Sequence, residues 1–206
     1  ISNVTTIFSS CRNDTMRGEL MSDRTPKILK RTQFGDPILL KKTRRLSEQE
    51  ITSHEIQNLI ADMKFTLATK RFGVGIAANQ VGHSISLSVI NIQPRSYRPD
   101  VQPFAKVIIN PRFKGLGKKY SVWEGCLSMG SKNSPVFAKT LRYRKVEAAY
   151  YDERGIEHTE ILHDLPAHVF QHETDHLNGI IFPERVHDHS TWMNFSEYKK
   201  MKKASV

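Results

Sequence analysis

Residues Asp164 to Gly179 read Asp-Leu-Pro-Ala-His-Val-Phe-Gln-His-Glu-Thr-Asp-His-Leu-Asn-Gly, with His172-Glu173-x-x-His176 at their centre. Asp164 suits an N-cap, Pro166 falls in a first turn where a missing N–H costs little, and Gly179 suits a left-handed cap after Leu177. One helix is predicted between them. Residues four apart on a helix share a face, so the imidazoles of His172 and His176 can converge on one ion. Glu173 projects roughly 100° further round, where a carboxylate exchanges a proton with metal-bound water rather than binding the metal. The stretch predicts hydrolysis at a metal ion mounted on a rigid element.

Two histidines and a glutamate also fall by chance on solvated helix faces, so the third ligand matters. A catalytic site of this kind takes three protein ligands and keeps one position open. The longer protease pattern H-E-x-x-H-x-x-G-x-x-H is met through Gly179 but puts Phe182 where its third histidine belongs. Cys126, Glu184, Glu197, the pair His187 and His189, and His168 remain. Cys126 stands out within Trp123-Glu124-Gly125-Cys126-Leu127-Ser128, since glycine permits close backbone approach and a thiolate beside two imidazoles is a catalytic ligand set. A buried cysteine acting only as a small apolar side chain is the competing reading.

A second glycine-bearing stretch is Gly73-Val-Gly75-Ile-Ala-Ala-Asn-Gln80. A dinucleotide fingerprint would need a strand before it and a helix after it. Here a helix is predicted before it, over residues 47–70, with the capping box Ser47-x-x-Glu50 and Ile56, Leu59, Ile60, Met63 and Leu67 at helical spacing. A strand-like run from Ile85 to Ile92 follows, and no Gly-Lys-Ser/Thr marks a phosphate loop.

In the order Gly73–Gln80, Glu124–Ser128, Gln171–His176, these three motifs resemble the peptide deformylase family: G-x-G-x-A-A-x-Q, E-G-C-L-S and Q-H-E-x-D-H are met at every fixed position. Phe34-Gly-Asp-Pro-Ile-Leu39 and Ile109-Asn-Pro111 add to the resemblance, which spans residues 27–186. It implies that Cys126, His172 and His176 hold one divalent ion, Fe2+ by family habit, with Zn2+, Ni2+ or Co2+ also suited to the ligands. Hydroxide on that ion would attack the formyl carbonyl of an N-formylmethionyl nascent peptide, and Glu173 would relay the proton to the leaving amine. Gln80, through its side-chain amide, and Leu127, through its backbone N–H, would stabilise the oxyanion. Val74 and Gly75 would offer an open strand edge to the peptide. Gly125, Val169, Arg142 and His168 join them as substrate-binding positions, and Glu124 and Asp175 as groups that orient the ligands from behind. For Asp175 a solvated helix carboxylate is the equal alternative.

Two departures from the family pattern lie near the substrate. Met129 to Ser134 reads as a longer connection, leading to an altered loop over 129–141. His168 stands one turn before His172, where the family places an apolar residue of the methionine pocket.

The chain has 206 residues, 38% of them hydrophobic, with two cysteines and no apolar run near the roughly 20 residues that span a membrane. A single α+β domain is expected, with mixed or antiparallel strands packed around a central metal-binding helix. Strand-like runs lie at 85–92, 105–110, 120–128, 143–151 and 156–161, and Asp152-Glu-Arg-Gly155 joins the last two as a hairpin. Cys11 and Cys126 suggest no disulfide framework, which favours a reducing compartment, the cytoplasm of a bacterial-type cell.

The domain reading is a leader over residues 1–20, expected to be disordered, a catalytic domain over 21–190 and a basic C-terminal extension over 191–206. Were residues 1–20 a transit peptide, an organelle would be the address, but Asp14 and Glu19 offset Arg12 and Arg17. The net charge of +10 gathers at two ends: residues 21–46 carry eight Lys/Arg against two Asp, and residues 196–203 four Lys against one Glu. Basic ends on a nearly neutral body suit either a solubilising surface or docking on a polyanion, for which the resemblance points to the ribosome. Neither DNA nor a membrane is expected as a partner. Two other functions compete: a metalloendopeptidase using an acid such as Glu197 as third ligand, and a ribosome- or RNA-binding module without turnover.

Overall fold

The capping box at Ser47 forms as its spacing predicts: Glu50 N–H donates to Ser47 Oγ at 3.3 Å and Ser47 N–H to Glu50 Oε2 at 2.8 Å. It opens only a short helix, α1 (Glu48–Ile51), because Ser53 accepts from Ile56 N–H and caps a second one, α2 (His54–Ala68). The single helix expected over 47–70 is therefore two. The computed structural model describes residues 24–70, 72–95, 98–131 and 134–204, so the leader over residues 1–20 lies outside the described residues.

The strands that follow are β1 (Gly75–Ala77), β2 (Leu87–Ile92), β3 (Phe104–Ser131), β4 (Ser134–Tyr151) and β5 (Glu157–His163). They pair antiparallel in sequence order. Then come helix α3 (Asp164–Leu177), strand β6 (Met193–Asn194), which pairs with β4, and helix α4 (Phe195–Ala204). The architecture is α+β. The two strands expected at 105–110 and 120–128 form one strand of 28 residues. The longer connection expected after Ser128 is instead a continuation of the β3–β4 hairpin, with Gly130 opposite Pro135 and Ser131 opposite Ser134. Glycine and proline here mark shifts of register, one of them between Gly125 and Gly130, where Gly130 takes a φ of 91°.

Side-chain alternation splits the core into two layers. Leu87, Val89, Val107 and Ile109 meet the apolar face of α2, built from Ile56, Leu59, Ile60, Met63 and Leu67. Ile90, Ile92 and Ile108 face the other way and pack with Val146, Tyr150, Ala167, Val169 and Phe170. The sheet thus lies between α2 and α3, and α3 is buried from Val169 to Leu177. That helix starts one residue earlier than expected: His163 is the N-cap, and Asp164, the expected cap, is already its first residue, with a φ of 49° and its carboxylate on Arg144 Nε. Among the described residues no helix is long and apolar enough to cross a membrane.

The basic C-terminal segment is helical. Phe195 packs on Phe72 and Phe137, and Tyr198 stacks on Phe137 at 4.2 Å between ring centroids, which turns Lys199, Lys200 and Lys202 outward.

Candidate metal centre

Helix α3 carries His172 and His176 one turn apart, their ring centroids 4.8 Å from each other. The β3–β4 ladder shifts between Gly125 and Gly130, so Cys126 to Met129 bulge out of register, and a bulge of this kind re-aims a side chain. Cys126 Sγ comes to 3.2 Å from His176 Nε2. Among the described residues Cys126, His172 and His176 form a group able to hold an ion, their ligand atoms all within 4.8 Å of one another. Metal–sulfur and metal–nitrogen bonds of about 2.3 and 2.0–2.1 Å at a tetrahedral angle put S and N about 3.5 Å apart, so the donor set fits a metal. Of the other candidates for third ligand, Glu197 bonds Lys200, Glu184 accepts Ile181 N–H, His168 faces Glu124 and His189 accepts from Trp192 Nε1, and neither His187 nor His189 joins the ligand group.

Glu173 is 3% exposed, and a Cβ on Gly75 would stand 2.2 Å from its Oε1, so only glycine at that position leaves room for the carboxylate. Its Oε2 is buried without a hydrogen-bond partner, as is His176 Nδ1. Burial pushes the Glu173 carboxyl up to about 7, against the opposing pull of His172. A carboxyl poised there both accepts and returns a proton near neutral pH. Burial and the charge of His172 keep His176 well below the ordinary histidine value, so it is a neutral imidazole ready to donate a lone pair.

Gln80 stands at the end of the short turn after β1. Its Oε1 accepts Ala77 N–H at 2.9 Å, which turns its amide nitrogen toward Cys126 Sγ at 3.4 Å and Ser128 Oγ at 3.1 Å. β1 is the end strand of the sheet; Val74 C=O accepts Asn91 N–H, and the other edge of Gly75 lies outside the ladder. Leu127 lies in the bulge with its side chain against the first core layer, Gly125 pairs with Phe137, and Val169 is packed in the second layer.

Behind the ligands is a chain of buried charges. Glu124 Oε1 accepts from His172 Nδ1 at 2.6 Å and Arg142 Nη2 at 2.8 Å, while Oε2 accepts from Arg142 Nε, Thr140 Oγ1 and His168 Nε2. Burial alone would raise the Glu124 carboxyl, but the Arg142 and His172 charges hold it well below the usual range. Arg142 also donates to Asp175, which takes two further bonds from Arg185. Asp175 is thus 4% exposed and paired rather than solvated. Arg142, expected beside the substrate, is itself 3% exposed and saturated by the two carboxylates. His168 likewise spends its Nε2 on Glu124. Thr140 and Arg185 carry no sequence signal, and Ser128 carries one only as the last residue of the E-G-C-L-S stretch.

The family model of polypeptide deformylases matches residues 28–192. The peptide deformylase of Chlorobaculum parvum is 38% identical over 159 residues, 77% of this chain and 80% of the relative, and that of Aquifex aeolicus 36% identical over 83% and 95%. Among solved structures, the Met-Ala-Ser-bound class I type b peptide deformylase of Acinetobacter baumannii superposes with a TM-score of 0.72 at 30% identity, covering 79% of this chain and 100% of that one. The peptide deformylase of Thermotoga maritima gives 0.65 at 30% identity, over 78% and 99%. With its three motifs gathered round one metal-ligating group and its fold shared along nearly the whole length of these relatives, the chain belongs to the polypeptide deformylase family.

Proposed function

We propose that Cys126, His172 and His176 bind one divalent ion and that the protein uses it to remove the formyl group from N-formylmethionyl peptides, releasing formate. The observation that carries this is the convergence of a thiol and two imidazoles beside a buried, unpartnered carboxylate oxygen on Glu173. Held by these three residues, the ion would supply Lewis acidity to activate water and polarise the formyl carbonyl. Glu173 takes the proton released on attack and returns it to the amine that leaves. The Gln80 amide and the Leu127 N–H donate to the oxyanion, and the free edge at Val74 and Gly75 aligns the peptide as an added strand. Glu124 fixes the tautomer of His172 through its Nδ1–H, and Arg142 keeps Glu124 ionised.

For the metal we favour ferrous iron, by family resemblance; zinc, nickel and cobalt suit the same thiolate and imidazole set. Docking of α4 and the basic N-terminal flank on ribosomal RNA is supported by the outward Lys199, Lys200 and Lys202, and a cytoplasmic setting by the need to keep Cys126 reduced.

The test is formate release from formyl-Met-Ala-Ser by anaerobically prepared, iron-loaded protein, with internal peptide-bond cleavage monitored in parallel. Formate without internal cleavage is expected. Internal cleavage, or no formate from metal-loaded protein, would overturn the reading.

A further inference from the structure

The bulge that frees Leu127 also leaves Cys126 to Met129 without partners in the β3–β4 register, so something else must hold them. That support comes from the extended segment Arg31–Phe34. Phe34 N–H donates to Ser128 C=O at 2.9 Å, Thr32 N–H to Gln80 C=O at 2.8 Å, and Arg31 Nη1 to Leu127 C=O at 2.5 Å. One short strap therefore holds both residues assigned to the oxyanion, Gln80 through the Thr32 backbone and Leu127 through the Arg31 side chain. The Leu127–Ser128 peptide is bonded at both ends: its oxygen accepts from Arg31, and its N–H points at Cys126 Sγ, 3.4 Å away.

Among the described residues no carboxylate pairs with Arg31, and its half-buried guanidinium gives that carbonyl a charge-assisted bond. A charged donor makes roughly twice as strong a bond as a neutral one and polarises the amide, which strengthens its N–H as a donor to the sulfur. It also anchors the peptide next to the one that carries the Leu127 N–H, leaving only the two dihedrals of Leu127 between them.

We propose that Arg31 is a positioning residue for the hydrolytic site, holding the Leu127–Ser128 peptide so that the Leu127 N–H meets the oxyanion and the Ser128 N–H stays on the Cys126 sulfur. This rests on the roles given to Cys126 and Leu127 above. Arg31→Met keeps the length of the side chain and removes the donor; Arg31→Lys keeps a charge and one donor.

Full-length wild type, Arg31→Met and Arg31→Lys are loaded with iron for kinetics and with cobalt(II) for the sulfur-to-cobalt absorption band. Arg31→Met is expected to lose on the order of tenfold to a hundredfold in kcat, with KM close to wild type because the peptide's own contacts remain. Its band moves to longer wavelength, since a thiolate with a weaker N–H donor is easier to oxidise, and Arg31→Lys recovers part of both effects. Wild-type kcat with an unmoved band in Arg31→Met would overturn the inference. So would equal losses in both variants with a lowered Tm and an unmoved band, which mark a merely structural residue. If the wild type itself releases no formate, the deformylase reading falls, while the band of Arg31→Met against wild type still decides the role of Arg31.

Discussion

The carboxylates behind the metal ligands and the lysines of α4 are both dense in charge, yet they obey opposite rules. Glu124, Arg142 and Asp175 are each less than 5% exposed, and every charge meets another at hydrogen-bond distance. Lys199, Lys200 and Lys202 point outward, with their aromatic neighbours Phe195 and Tyr198 doing the packing. In the first region charge fixes position, because a buried ion without a partner is intolerable. In the second it is a field, felt at a distance and weakened by salt.

The sharpest way to break this contrast is to unpair the buried network. Arg142→Met leaves Glu124 and Asp175 facing each other without their shared cation and is expected to destabilise the protein by about 3–5 kcal/mol, read from denaturant unfolding. A change below about 1 kcal/mol would mean that the network is solvated, like a surface pair. Glu124→Gln keeps the shape but weakens the hold on His172. Metal affinity or turnover should fall on the order of tenfold to a hundredfold, measured by competition with a chelator and by formate release.

Asp152, in the β4–β5 turn, sits between the two extremes. Burial would raise its carboxyl, but His158, Arg154 and two backbone N–H groups hold it at about 2. A depressed folded pKa gives stability that is complete above the ordinary value of 3.8 and lost as pH falls toward 2. Unfolding midpoints of Asp152→Asn should therefore change less than those of wild type across that window. The smallest effect on catalysis belongs to α4: replacing Lys199, Lys200 and Lys202 by Gln should leave turnover of a short formyl peptide unchanged. Binding to ribosomal particles should weaken, most at low salt. Loss of short-peptide turnover would show that the helix is part of the site.

The ligand helix and the capping box were legible because each is written in local spacing: His172 and His176 four apart, Ser47 and Glu50 three apart. The pairing of Cys126 with them came from family resemblance, not periodicity, since a partner 50 positions away leaves no local trace. The hairpin of β3 and β4 was misread for a physical reason: glycines that usually end strands here absorb register shifts, and only long-range pairing decides between the two. Arg142 is legible only through the resemblance, which puts it beside the substrate; its two carboxylate partners lie 18 and 33 residues away in sequence, beyond any local spacing.

The most direct test of the central claim pairs wild type with Glu173→Ala, assaying formate release from formyl-Met-Ala-Ser and metal content on the same samples. One equivalent of metal in both, with formate release abolished only in the variant, is the predicted result and separates the proton carrier from the ligands. A variant that retains wild-type turnover, or one that loses its metal along with its activity, would contradict the role assigned to Glu173.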